Sequence, residues 1–298
     1  MSAGRLFRRL VAASAAALAL LAGAAWLAGT LLLHPEHPSS MPSSGEGLEG
    51  VQFITSDGVE LRGWWWPGRD PARAVLLLHG LQADRLQMFP RAKWLHESGY
   101  SVFLFDFRGC GESGGSASFG YRERLDVSAA LKFLREEKGA GQAVIIGESM
   151  GAAAALMAVD SWGDGVKGAV LESPFDRFDT AVRLRVRHAA GFLEPALSPL
   201  LLAQVPMRLG FSPRKLAPLE ALSRARCPVL IGFGGQDPYV TQGLLGEFFR
   251  KAPYPATLWV IQKAGHDDLH RFDSRAYQEK VGDFVATTLG SPDKGCKG

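Results

Sequence analysis

Six short, almost unbroken apolar runs recur between positions 74 and 261, with helical patterns in most of the gaps, and this alternation constrains the fold more than any other feature. The runs occupy 74–78, 101–105, 143–146, 168–171, 228–233 and 257–261. Strands that are apolar without alternation are covered on both faces, as in parallel sheets. The segments 88–97, 122–137, 150–159, 241–250 and 274–289 carry helical patterns between and after them. Upstream, 51–55 and 59–66 flank Asp57-Gly58, the turn pair of an antiparallel hairpin. An antiparallel start followed by repeated strand–helix units predicts an open, mostly parallel α/β sheet with helices on both faces. Reactive side chains in such sheets gather at the carboxyl ends of strands.

With 298 residues, 47% of them hydrophobic, the chain is long enough to bury roughly three quarters of its unfolded surface without a metal or disulfide framework. Its three cysteines, Cys110, Cys227 and Cys296, are widely spaced, allow at most one internal disulfide and form no redox motif. The formal charge of +3 comes from Arg5, Arg8 and Arg9, which precede the first acidic residue, Glu36. Without them, 30 basic residues balance 30 acidic ones. A neutral domain without a zinc-finger or aromatic RNA-binding signature is not expected to bind nucleic acid.

Residues 10–33 are uncharged, and as a helix they extend about 36 Å, more than the hydrocarbon core of a bilayer. Ala22-Gly23-Ala24 would suit a signal peptidase, which makes a cleaved, secreted form the alternative. The apolar run continues past it through Trp26 to Leu33, which favours an uncleaved signal anchor. The three leading arginines, with no further Lys or Arg until Arg62, orient residues 1–9 toward the cytoplasm and the rest outside, giving a single-pass inner-membrane protein. Residues 34–50, rich in Pro, Ser and Gly, read as a flexible stalk. Its His34 and His37 have no four-ligand set around them and read as solvated linker residues. A folded domain over 51–290 and a short tail, 291–298, complete the organisation.

The pattern G-x-S-x-G occurs twice, and context separates the copies. Gly147-Glu148-Ser149-Met150-Gly151 follows a strand directly and opens an alanine-rich helix, the strand–turn–helix that holds a serine on a sharp elbow. Gly111–Gly115 has neither neighbour and reads as a turn. A serine hydroxyl needs a base, and the base needs a carboxylate to hold its tautomer. His266 follows the run at 257–261 and Asp237 follows the run at 228–233, so both lie at later strand ends. Glu172, at an earlier strand end, is the alternative acid. Two N–H donors for an oxyanion are expected from Met150 and from Leu81, which follows the His79-Gly80 turn. His266-Asp267-x-x-His270 nearly matches a zinc-protease motif, but Gly265 places the first histidine in a loop and Asp is one methylene shorter than the required Glu, so no metal is expected.

The ordered set LLLHG, DFRGCGES, IIGESMG, GQDPYV and AGHDDL resembles the α/β-hydrolase superfamily, in particular its serine-aminopeptidase-like and Bem46-like membrane-associated branch. The resemblance spans about 51–289 and implies an eight-stranded sheet, a Ser149–His266–Asp237 triad and no cofactor. It does not fix a substrate. An insertion at about 175–227 falls where the family places its cap; it is apolar and interrupted by Pro195, Pro199 and Pro206, which predicts short broken helices. Such a segment is either a lid that favours lipid-like esters or thioesters or an apolar face that simply packs on the core. Arg183, Arg185, Arg187 and His188 are either receivers for an anionic head group or a solvated helix face. Trp64, Trp65 and Trp66 are either interface anchors or one strand alternating between its two sides. The expected activity is hydrolysis through an acyl-enzyme. A serine peptidase releasing N-terminal residues, with Glu194 as amine receiver, and a catalytically silent membrane-tethered binding protein are the alternatives.

Overall fold

Each apolar run becomes a strand because both of its sides find a covering layer. The computed structural model describes residues 3–33, 47–252, 255–266 and 268–291. Its strands are β1 (Glu49–Ile54), β2 (Glu60–Trp66), β3 (Asp70–Leu78), β4 (Tyr100–Phe105), β5 (Gln142–Glu148), β6 (Val166–Glu172), β7 (Val229–Gly234) and β8 (Ala256–Ile261). They form one sheet in the order β1-β2-β4-β3-β5-β6-β7-β8. The pairs β1–β2 and β2–β4 are antiparallel; every other pair is parallel. The expected fold class is therefore found, with strand positions within a few residues of those read from periodicity. His34, His37, Asp267 and Cys296 lie outside the described residues.

The helices are α1 (Ala3–Leu33), α2 (Arg85–Glu97), α3 (Glu123–Glu137), α4 (Met150–Met157), α5 (Phe178–Ala190), α6 (Glu194–Leu209), α7 (Pro218–Leu222), α8 (Gln242–Lys251), α9 (Leu269–Phe272) and α10 (Ser274–Leu289). On one face Leu76, Phe103, Phe105 and Ile145 pack with residues of α3, α4 and α8. On the other, Val75, Leu77, Val144 and Ile146 pack with residues of α2 and α10. Neighbouring residues of a strand thus enter different cores, which is why the runs lack polar alternation. The same alternation places Trp64 and Trp66 in one core and Trp65 in the other, all three buried. That strand reading holds, and the tryptophans are not interface anchors.

Between β6 and β7 the chain builds a cap from α5 and α6, with its own cluster of Phe178, Val205, Leu209, Phe211 and Leu216, whereas Leu219 and Leu222 of α7 join the main core. The prolines do not break α6, which runs sixteen residues across Pro199 and Pro206. Val205 and Leu209 anchor its inner side in the cap cluster, and this packing outweighs the roughly 3 kcal/mol cost of a helix-interior proline. On its outer side α6 meets α1: Arg208 Nη1 donates to Thr30 Oγ1 at 2.9 Å, Nη2 donates to the Trp26 carbonyl, and the guanidinium lies 3.7 Å from the Trp26 ring centroid. Small residues permit the approach. Ala25 is buried there, and a methyl at Gly29 would lie 3.0 Å from Gln204 Oε1.

Candidate active site

Ser149 stands between β5 and α4, where the chain must reverse from strand to helix within one residue. Its φ of 49° lies in the left-handed region that a residue with a Cβ avoids, at a typical cost of 1–3 kcal/mol, on the order of a strained functional position. The turn is tight enough to exclude side chains on either side. A methyl at Gly147 would lie 2.7 Å from the Ala152 nitrogen, and one at Gly151 would overlap the Leu78 carbonyl oxygen. The Ser149 N–H donates to the Glu172 carbonyl at 2.8 Å, and its own carbonyl accepts from Ala153 at 3.0 Å. These bonds pin the elbow to β6 and to the first turn of α4.

The loops after β7 and β8 bring up two further side chains. The Gly235 and Gln236 amides donate to the Ile261 and Ala264 carbonyls at 2.9 and 2.8 Å, so the loops are tied together. Asp237 is buried; its Oδ1 accepts the Tyr239 N–H at 2.8 Å, and its Oδ2 accepts from His266 Nδ1 at 2.6 Å. His266 then turns Nε2 toward Ser149 Oγ, 3.3 Å away. Tyr239 meets the His266 ring edge-on with centroids 4.9 Å apart. Ser149, His266 and Asp237, distant in sequence, are thus in line. A chain of this kind can withdraw the serine proton and return it to a departing group.

The turn before Leu81 is rigid. His79 is fully buried; Nδ1–H donates to the Gly80 carbonyl at 2.8 Å while Nε2 accepts the Phe107 N–H at 3.0 Å, which defines the neutral tautomer. Burial pulls its pKa down to about 4. The Gly80 N–H donates to Gln87 Oε1 at 2.7 Å, and Gln87 Nε2 donates to Glu148 Oε1 at 2.8 Å, so the turn is bonded to the residue preceding Ser149. Leu81, Ser149 and Met150 line one cavity of about 140 Å³, whose other walls include Phe119, Phe178, Val205 and, from α1, Gly29.

Glu172 goes elsewhere. It accepts from Arg91 Nη2 at 2.6 Å and from the Tyr277 hydroxyl, and Glu148 and Asp268 complete the ring around the same buried guanidinium. The alternative acid is therefore occupied beneath the elbow. Oxygens of Glu148, Glu172 and Asp268 lie within 4.8 Å of one another, as in a metal site, but the Arg91 cation already fills that role. Burial raises the Glu172 carboxyl and pushes Glu148 up to about 8, with Arg91 pulling both back. His270 is buried against Trp94 and Tyr277. Among the described residues Cys110 and Cys227 are free thiols, and burial pushes them up to about 12 and about 11.

The four bases of α5 part company. Arg183 and Arg187 pair with Glu194 at 3.2 and 3.4 Å, and His188 meets the Tyr239 ring edge-on. Arg185 turns inward, with Nη2 3.4 Å from His266 Nε2. Its position was hidden in the sequence among three similar neighbours; only the fold singles it out.

The model of the family described as serine aminopeptidase, S33, matches residues 69–215. Relatives include Rv2307c of Mycobacterium tuberculosis, 30% identical over 275 residues, covering 88% of this chain and 89% of that protein. YqkD of Bacillus subtilis is 24% identical over 247 residues, 81% of each chain. Both are uncharacterized. Among solved structures, the esterase Pf2001 of Pyrococcus furiosus superposes with a TM-score of 0.73 at 24% identity, covering 87% of this chain and 99% of the esterase. The α/β hydrolase GrgF of Penicillium superposes at 0.64 with 19% identity, over 81% and 99%. At these identities the structural likeness is one of fold. From the sheet order, the strained elbow and these relatives together, the chain belongs to the α/β-hydrolase superfamily.

Proposed function

We propose that this protein is a membrane-anchored serine hydrolase that cleaves carboxylic esters or thioesters with lipid-like acyl groups. The observation that carries the reading is the line Asp237–His266–Ser149 opening onto a cavity walled by apolar side chains. Ser149 Oγ attacks the carbonyl carbon as His266 Nε2 takes its proton. The oxyanion is held by the Met150 and Leu81 amides, where one lost donor typically costs about 3 kcal/mol. The intermediate collapses, the acyl–leaving-group bond breaks, and Nε2 returns the proton to the departing oxygen or sulfur. Water, deprotonated by the same nitrogen, then adds to the acyl carbon and frees Ser149.

The cavity supports an acyl substrate, and Gly29 in its wall supports delivery from the lipid side. The segment Phe7–Thr30 is long and apolar enough to cross a bilayer. Ester substrates are also in keeping with the esterase among the structural neighbours. An aminopeptidase would need a carboxylate facing the substrate's ammonium group. Glu194 instead pairs with Arg183 and Arg187, and the charge beside His266 is a guanidinium.

Ser149→Ala is expected to lower ester turnover roughly a million-fold while the fold persists, because a nucleophile and its base act as one unit. A fluorophosphonate probe should label the wild type and not the variant. Unchanged ester hydrolysis by the variant rejects the assignment, and a folded wild type that takes no label favours the silent binding protein.

A further inference from the structure

Arg185 is the one base of α5 that faces the reacting groups, and among the described residues it ion-pairs with no carboxylate. Its guanidinium lies 4.6 Å from the Tyr239 ring centroid, and Nη1 donates to the Ala181 carbonyl at 3.4 Å. It lines both the apolar cavity beside Ser149 and the adjoining pocket that holds Asp237 and His266. Burial works against its charge, and Tyr239 and Asp237 only partly offset that. The side chain is half-buried: water solvates part of the guanidinium, and a ligand's anion would supply the neutralising partner that no carboxylate among the described residues provides. Cation–π contact with Tyr239 contributes, but on the order of 1 kcal/mol does not replace a bonded anion.

The position of Arg185 tells which part of a substrate it would meet. When the tetrahedral intermediate collapses, His266 Nε2–H hands its proton to the departing atom, so that atom must come within hydrogen-bond reach of Nε2. Arg185 Nη2 is 3.4 Å from that nitrogen, on the histidine side of Ser149. Substituents of the leaving group, not of the acyl chain, therefore come nearest the guanidinium. In the free protein Nη2 also competes with Ser149 Oγ for the single lone pair of Nε2. An anion that draws the guanidinium aside leaves Nε2 to the serine.

We infer that Arg185 is a specificity residue that binds a phosphate or carboxylate on the substrate's departing alcohol or thiol. The natural substrate is then an anionic amphiphile: an apolar acyl chain in the cavity, joined to a negatively charged leaving group. Atoms balance as in the hydrolysis above, since the anion binds and departs with the leaving group unchanged. The inference rests on the serine-hydrolase reading and deepens it.

The test uses the full chain in detergent micelles and dodecanoyl esters of glycerol, of glycerol phosphate and of lactate, with fluorophosphonate labelling read alongside. The wild type should favour at least one charged ester over the neutral glycerol ester by roughly ten- to a hundredfold in kcat/KM, the usual worth of a charged hydrogen bond. Arg185→Gln should bring that ratio close to one, mainly through KM, and Arg185→Lys should retain part of it. The better of phosphate and lactate tells which anion the site is shaped for. A labelled wild type with no charge preference, or an Arg185→Gln variant that keeps the preference, overturns this inference alone. A folded wild type that takes no label removes the hydrolase reading and this one with it.

Discussion

His79 shows how one buried side chain ties stability to the geometry of the candidate site. Its neutral ring is fixed by one donated and one accepted bond, and protonation would turn the acceptor Nε2 into a donor facing the Phe107 N–H. The folded-state value, about 4, lies below the ordinary 6.5, so the unfolded chain binds more protons between those values. The contribution is therefore fully present above pH 6.5 and is lost as pH falls toward 4. With a shift of this size it amounts to about 3 kcal/mol. Glu148 acts in the opposite sense: pushed up to about 8 from 4.5, it stabilises below 4.5 and that contribution fades as pH rises through 8. The His79 share is therefore isolated by comparison with His79→Gln. Urea unfolding should give a wild-type stability that drops relative to the variant between pH 6.5 and 4; parallel pH profiles would contradict it. The catalytic candidates at this scale were legible because their chemistry is coded locally: a serine between glycines, an acid and an imidazole each just past a strand. Arg185 was not, because Arg183, Arg185 and Arg187 differ only in which way the helix turns them.

Among elements, α6 is where sequence and structure diverge. Proline reads as a breaker because it lacks an N–H and crowds the preceding turn. That cost is local, whereas the burial of Val205 and Leu209 depends on cap partners far apart in sequence. Pro206 is exposed, so its replacement by Ala forfeits little packing and restores a donor to the helix. The regained helix energy of about 3 kcal/mol exceeds the 0.4–1 kcal/mol or so that proline contributes by stiffening the unfolded chain. Pro206→Ala is thus expected to stabilise the protein by about 2 kcal/mol in urea unfolding. A destabilised variant would mean that the cap needs the proline's bend. The strands were read more accurately because burial on both faces leaves a mark in a single run of residues, with no partner needed to interpret it.

For the whole molecule, the seam between α1 and α6 links the site to its surroundings. Neither helix announces the other in the sequence. Ala25 and Gly29 look like ordinary small residues of an apolar segment, and Arg208 like a surface base, until the fold sets them together. On the reading that α1 spans a bilayer, the contact at Ala25–Thr30 involves the last turns of the span, which places α6 at head-group depth. The exposed side of α6 suits that place. Ala196, Pro199, Ala203, Pro206 and Met207 point outward without a charge, and Phe192 just before them is 89% exposed. On that reading, this uncharged face would rest in the interface with its apolar side toward the acyl chains. Since Gly29 also walls the cavity, a substrate in the bilayer would reach Ser149 along the seam without crossing water. Introducing Ala203→Glu together with Met207→Glu sets two carboxylates on that face, at a cost on the order of 1 kcal/mol, or roughly a fivefold loss in rate on an ester dissolved in vesicles. Hydrolysis of a short, water-soluble ester by the same protein should not follow, because neither side chain lines the cavity. Equal losses on both substrates would mean that the substitutions disturb the cap itself, and no loss on either would place α6 away from the lipid.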